Sequence, residues 1–108
     1  MDNVSVKVPP TIKIGCHTYR VRLVKDLEDS GSDAEVNHKK ETISIDPTTP
    51  LVRRNVSLIH EALHIISRVY HIDLGGEGVV GALSEGLGEF LLTNLGLEFN
   101  WEGVDNVE

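Results

Sequence analysis

Residues 60–64 read His-Glu-Ala-Leu-His, with two histidines four positions apart and a glutamate directly after the first. On an α-helix such histidines lie one turn apart on the same face, so both imidazoles can reach one zinc ion at about 2.0–2.1 Å. Glu61 follows His60 at about 100° around the helix, so it can lean over the open side of the metal without binding it. A carboxylate there can act as general base on water held by the metal. The pattern therefore predicts zinc-dependent hydrolysis, with Glu61 as the catalytic residue and His60 and His64 as ligands.

A catalytic zinc also needs a third protein ligand, because such sites have three and leave one position open. Glu85 and Glu89 stand four apart in the second predicted helix and so share a face. Glycines at 81, 86 and 88 predict the close approach of another backbone, which bringing Glu85 to the histidines requires. We predict Glu85 as the third ligand and Glu89 as the group that orients a ligating histidine through its far nitrogen. In another helix register these two exchange roles, and Glu77 ranks behind both.

His71 follows the motif closely but does not fit as the third ligand. The metzincin continuation of the motif requires glycine at 67 and histidine at 70, where this sequence has Ser67 and Tyr70. An unbroken helix also carries His71 away from the metal.

Hydrophobic periodicity predicts the elements that position these residues. Alternating apolar residues indicate strands at 11–15 and 18–24, and a second hairpin at 36–46 after a polar loop at 26–35. Thr49 as N-cap and Pro50 at the first helical position predict the start of a central helix, whose apolar stripe runs from Val52 to Tyr70. A second helix is predicted at about 77–94, with the apolar residues Val79, Val80, Leu83, Leu87, Phe90 and Leu91.

Strands followed by helices predict an α+β fold. We expect a small antiparallel sheet of about three or four strands packed on two main helices, in one domain spanning residues 1–108. The acidic tail, at about 95–108, is predicted to be irregular, with Trp101 as its anchor.

With the motif on one helix and a glutamate on the next, 21 positions after His64, the chain resembles the gluzincin zinc metallopeptidases. Within them it is similar to the minimal, minigluzincin-like kind, which includes small peptidases of phages and prophages. The resemblance implies a zincin-like fold, zinc bound by His60, His64 and Glu85, Glu61 as general base, and Glu89 as the acid beside a ligand.

The same resemblance implies that an edge strand beside the site, here 41–45, pairs with an extended peptide substrate. Larger gluzincins stabilise the oxyanion with a tyrosine or histidine from a further subdomain that has no counterpart in this sequence. The candidates for that role here are Tyr70, His71, His38 and Tyr19.

The leading functional prediction is a zinc-dependent metalloendopeptidase that hydrolyses a peptide or protein substrate. The alternative is a zinc-binding regulatory or protein-interaction module, latent or catalytically degenerate, in which the metal contributes folding energy without turnover. A third hypothesis is a metal-free interaction domain with a coincidental motif. If the chain is latent, the tail at 97–108 is the segment expected to cover the cleft.

Charge and composition exclude other classes. All ten Lys and Arg residues lie at or before Arg68, whereas residues 69–108 carry eight carboxylates, so a nucleic-acid surface is not expected there. No apolar run approaches the roughly 18 residues of a membrane span. Cys16 is the only cysteine, and the N-terminus lacks the pattern of a secretory signal. These features predict a cytoplasmic protein with no nucleic-acid or membrane partner, and they leave its oligomeric state open.

Overall fold

The computed structural model of the chain describes residues 3–25, 27 and 33–107. Most of the loop predicted at 26–35 therefore lies outside the described residues. The secondary structure is α+β, as predicted, but it contains more strands than expected. In chain order the elements are β1 (Val4–Lys7), β2 (Thr11–Ile14), β3 (His17–Val24), β4 (Ala34–Asn37), β5 (Thr42–Ile45), α1 (Leu51–Tyr70), α2 (Glu77–Gly88) with a π-helical continuation (Glu89–Asn94), β6 (Leu97–Asn100) and β7 (Asp105–Val107).

The main sheet is mixed, so the prediction of an antiparallel sheet is wrong in part. Both predicted hairpins form, since β2 pairs antiparallel with β3 and β4 pairs antiparallel with β5. However, β5 also pairs parallel with β3, in the order β2-β3-β5-β4, and β7 pairs parallel with the end of β3. The reason is burial: Ile43 and Ile45 are fully buried, and pairing β5 with β3 places them beside Val21 and Leu23. The segment 41–45 is consequently internal, and the expectation that it forms an edge strand is wrong.

The tail is ordered rather than irregular, which corrects the prediction for residues 95–108. Strand β6 pairs parallel with β1, an N-terminal strand that the sequence analysis missed, and β7 joins the main sheet. Trp101 between them is buried, and its indole Nε1 donates to Asn55 Oδ1 on α1 at 2.8 Å. The expectation that Trp101 anchors the tail is confirmed, and its anchor is the first half of α1.

The core lies between α1 and one face of the main sheet. Tyr19, Val21, Leu23, Ile43 and Ile45 alternate toward this face and are buried against Leu58 and Ile65. Leu58, Glu61 and Ile65 thus mark the side of α1 that faces the sheet, whereas Val52 and Tyr70 of the predicted stripe are exposed.

Helix α1 begins one residue later than the N-cap prediction implies. Pro50 is the N-cap, because the Thr49 hydroxyl donates to the Asp46 carbonyl in the preceding turn and does not cap the helix. The helix ends at Tyr70, and its C-cap, His71, has left-handed backbone angles (φ 54°, ψ 45°). Over the described ranges, no helix combines the length and the apolar character needed to cross a membrane.

Helix α2 packs on α1 through small residues. Its buried residues are Val80, Ser84 and Gly88. At Gly88 a Cβ atom would lie 3.0 Å from Val56 Cγ2, so this glycine lets α2 approach side chains of α1 rather than the predicted second backbone. At Gly81 and Gly86 such a Cβ would have no atom within 4 Å apart from its own helix backbone and chain neighbours. These two glycines therefore do not bring α2 closer to α1.

Candidate metal centre

His60 and His64 project from one side of α1 toward the start of α2, as their spacing predicts. Their Nε2 atoms are 3.2 Å apart, and both side chains are partly buried. The two rings meet edge to face, with centroids 4.9 Å apart. Both Nε2 atoms therefore point to one location between the helices.

Glu77 is the carboxylate that meets the histidines. Its Oε1 lies 2.9 Å from Nε2 of His60 and 2.7 Å from Nε2 of His64. Partial burial alone would raise the pKa of the Glu77 carboxyl, but the hydrogen bonds to His64 and His60 and their charges hold it below its usual value. An ionised oxygen thus faces the two ring nitrogens.

A glycine turn places Glu77 at this point. Gly75 and Gly76 both have positive φ, 106° and 121°, which residues with a side chain rarely adopt. Asp73 Oδ1 accepts the Gly75 backbone N–H at 2.8 Å, which fixes the turn. The chain therefore reverses after α1 and starts α2 with its first residue beside the histidines.

These three residues form a donor set that suits zinc. A search of the described His, Cys, Asp and Glu residues finds that the ligand atoms of these three side chains all lie within 4.8 Å of one another. Two imidazole nitrogens with one carboxylate oxygen is a ligand set of catalytic zinc sites. The Nε2–Nε2 separation of 3.2 Å is close to the roughly 3.3 Å that two nitrogens span on a tetrahedral zinc ion.

Glu61 lies on the side of α1 between the histidines and the sheet, and it is only 7% exposed. Burial raises the pKa of its carboxyl, and the charges of His60 and His64 oppose that increase. A carboxyl with a raised pKa beside such a set of donor atoms is suited to accepting and returning a proton.

Ser84 is a site residue that the sequence analysis missed. It is buried, its Oγ lies 3.4 Å from Nδ1 of His60, and the same hydroxyl donates to the Gly81 carbonyl at 2.9 Å. A hydroxyl that donates elsewhere can accept the Nδ1–H of His60, which leaves Nε2 with its lone pair for a metal. The sequence feature that could have identified Ser84 is its spacing from Glu77. It follows Glu77 by seven residues, which places it two turns along the same face of α2.

Glu85 and Glu89 are not brought to the histidines. The Glu85 side chain is 65% exposed on the rim of the cleft, and its Oε1 lies 3.9 Å from Nη1 of Arg53. Glu89 is exposed and lies next to a different cleft, between the first turns of α1 and the π-helical continuation of α2. Glu77 Oε1, rather than an oxygen of Glu85 or Glu89, lies next to the Nε2 atoms, and the Ser84 hydroxyl lies near Nδ1 of His60.

The oxyanion candidates lie toward the far end of α1. Tyr70 is exposed, and its hydroxyl approaches the turn at Gly15. His71 lines a separate cleft together with Tyr19 and His38. The Tyr19 hydroxyl lies 2.9 Å from Nδ1 of His38, and burial, together with the charges of Arg68 and His64, lowers the pKa of His38. Tyr70, His71, Tyr19 and His38 do not line the cleft that His60, Glu61 and Glu77 line.

That cleft has a volume of about 370 Å³ and lies between α1, α2 and the start of β4. Arg53, at one end, pairs with Asp33 Oδ2 at 3.0 Å. Its lining contains no residue of the segment 97–107, so the tail does not cover it. The lining residues are Asp33, Ala34, Arg53, Val56, Ser57, His60, Glu61, Glu77, Gly81, Ser84 and Glu85.

Comparison of the chain with protein-family models, with curated proteins and with solved structures finds no match to any of them.

Proposed function

We propose that this protein is a zinc-dependent peptidase in which His60, His64 and Glu77 bind the metal and Glu61 is the general base. The observation that carries the proposal is the convergence of the two Nε2 atoms and Glu77 Oε1, with a buried carboxyl next to them. Relative to the gluzincin-like expectation, the third ligand still comes from the helix after the motif, but at position 77 instead of 85.

Each residue has a defined part in peptide hydrolysis. Ser84 orients His60, and the two histidines with Glu77 present three donor atoms next to the cleft, which His60 and Glu77 line. When bound, zinc supplies Lewis acidity, which polarises a carbonyl and makes water a stronger acid. The Glu61 carboxylate takes one proton from the attacking water while the oxygen bonds to the peptide carbon. Glu61 then donates that proton to the amine nitrogen as the C–N bond breaks.

The substrate class that fits the cleft is an extended peptide. Strand β4 ends the sheet order β2-β3-β5-β4, and Ala34 at its start lines the cleft. Glu35 on the same strand is close enough for its charge to raise the pKa of Glu61. A peptide added to the outer edge of β4 would run past Glu61, with its specificity set by alternate side chains. Strand β4 thus replaces 41–45 in the proposed binding mode.

One observation favours the alternative, a zinc-binding regulatory or interaction module without turnover. The side chains that line the cleft include no tyrosine and, besides His60, no histidine that could stabilise an oxyanion. Arg53 is the cation in that lining, and it is paired with Asp33. In this alternative the metal links α1 to α2 and stabilises the fold.

Metal content and peptide cleavage test both functions together. Protein purified without affinity metals should hold about one zinc per chain, as three convergent ligands imply, and His64→Ala should lose it. A peptide library should be cleaved by the wild type and not by Glu61→Gln, which should keep its zinc. Zinc without cleavage would select the module, and no zinc even after reconstitution would reject both functions.

A further inference from the structure

The outer side of α2 carries large apolar side chains that nothing in the described structure covers. Val79, Leu83 and Leu87 recur every four residues, and Phe90 continues the row at the start of the π-helical segment. Their exposed fractions are 48%, 41%, 38% and 54%. We call these four residues the α2 stripe.

The arrangement reverses the usual amphipathic pattern of a surface helix. The side of α2 that packs on α1 consists of Val80, Ser84 and Gly88, so the larger apolar residues are left for the outside. Surface helices normally bury such a row, because leaving it in water forgoes the free energy of burial. Isolated exposed apolar residues need no explanation, but a contiguous row indicates an interaction surface.

The stripe lies away from the candidate metal centre. The cleft is lined by Ser57, His60 and Glu61 on α1 and by Gly81 and Glu85 on α2. On a helical wheel Glu85 is opposite the midpoint of Leu83 and Leu87, so the stripe occupies the other side of the helix pair. A partner bound there would leave the cleft open.

A second apolar row lies on α1, the helix against which α2 packs. Ile59, Leu63, Ile66 and Tyr70 follow at steps of four, three and four residues. None of them is buried, and Tyr70 is 56% exposed. The four residues of the α2 stripe expose on the order of 300 Å² of apolar surface, since roughly half of each side chain is accessible.

We propose that a second copy of this chain covers the α2 stripe, forming a two-fold dimer through α2. Two arguments select a second copy. Neither row contains a charged residue, so a self-complementary contact brings no like charges together. Two such patches facing each other supply roughly 600 Å² of buried apolar area, which is close to the apolar share, about 57%, of a small stable interface of roughly 1,200 Å². The proposal does not depend on the metal.

The charge of the chain predicts how this dimer responds to salt. Each copy carries a net charge of −7, so two copies repel each other at long range. Salt screens that repulsion and leaves the apolar contact intact. The dimer should therefore strengthen as salt is added, whereas a contact held by ion pairs would weaken.

Sedimentation equilibrium of the full chain tests the proposal, at about 0.05 M and 0.5 M NaCl. The wild type should dimerise more tightly at the higher salt concentration. The double substitution Leu83→Gln/Leu87→Gln should raise the dissociation constant by about tenfold or more, because each leucine loses its burial. Val6→Gln, which changes an exposed apolar residue on β1, is the matched control and should not change it. Circular dichroism checks that both variants remain folded.

Three outcomes would overturn the proposal. If the wild type stays monomeric at both salt concentrations, a second copy does not cover the stripe, and the stripe binds a different partner. A dimer that persists unchanged in Leu83→Gln/Leu87→Gln uses another surface. A dimer that dissociates as salt is added is held by charge rather than by the stripe.

Discussion

Oε1 of Glu77 lies 2.7 Å from Nε2 of His64, although the two residues are 13 positions apart and on different helices. The Glu77 side chain is 69% exposed, and an exposed pair of this kind contributes little to stability by itself. The contact follows from where α2 starts, which the positive-φ glycines 75 and 76 determine. The arrangement of the candidate site therefore depends on one turn, and its role is best tested through metal binding.

Glu77→Gln and Glu85→Gln form a matched pair, since both remove an exposed carboxylate from α2. Glu77→Gln should lower zinc affinity by more than the roughly 10–100-fold that the loss of a ligand's hydrogen-bonding partner costs. Glu85→Gln should leave affinity unchanged, because its carboxylate lies outside the ligand cluster. Competition titration with a chromogenic chelator measures both. The reverse order of effects would restore the ligand set that the sequence predicted.

Ser84→Ala should lower zinc affinity by about 10–100-fold, because the ring of His60 loses the hydroxyl near its Nδ1. Ser57→Ala is the control, as Ser57 lines the same cleft from α1 and makes no hydrogen bond to either histidine among the described residues. NMR of the imidazole nitrogens would report the tautomer of His60 directly. Equal affinities for the two variants would mean that Ser84 only packs α2 on α1.

The metal-free protein should lose stability as pH rises through the range in which Glu61 ionises. Burial raises the pKa of folded Glu61 above its unfolded value of about 4.3. Between those two pKa values the folded state keeps a proton that the unfolded state releases, so the free energy of unfolding falls with increasing pH. Glu61→Gln removes this dependence.

Urea unfolding of chelator-treated protein, at about pH 4 and pH 8, measures this effect. The stability of Glu61→Gln relative to wild type should be greater at the higher pH. The same difference at both pH values would show that Glu61 is not perturbed by burial.

The tail should act as a structural element. Trp101→Ala should cost about 3–5 kcal/mol, since it empties a buried aromatic site. Asn55→Ala should cost about 1–3 kcal/mol, because the indole N–H loses its acceptor. Leu95→Ala, at an exposed site, should change stability by less than about 0.5 kcal/mol. If removing residues 97–108 raised peptide cleavage without loss of stability, the tail would be an inhibitory segment after all.

Substitution of two glycines of α2 by alanine should change the stability of the protein differently. Gly86→Ala adds a Cβ into open space and should raise stability by up to about 1 kcal/mol, because alanine favours the helix. At Gly88 the new Cβ would lie 3.0 Å from Val56 Cγ2, so the gain should be smaller or reversed as the helices separate. Thermal unfolding compares the two variants. A larger gain for Gly88→Ala would contradict the observed packing of α2 on α1.

Features that depend on near neighbours in the chain could be predicted from the amino-acid sequence alone. His60 and His64 share a face of α1 because a helix repeats every 3.6 residues, whatever packs around it. Both hairpins form as predicted, since alternation and turn residues act over a few positions. The offset of about 100° between Glu61 and His60 follows from the same local geometry.

Tertiary structure decided the partners that come from distant positions. Whether Glu77 or Glu85 meets the histidines depends on which face of α2 turns toward α1, and the small residues Ser84 and Gly88 take that face because they allow the helices to approach closely. Apolar periodicity alone predicts a different rotation, with Leu83 and Leu87 turned toward α1. The parallel pairing of β5 with β3 and the ordering of the tail are likewise long-range contacts. No local pattern specifies them, because their stability comes from burial shared between distant segments.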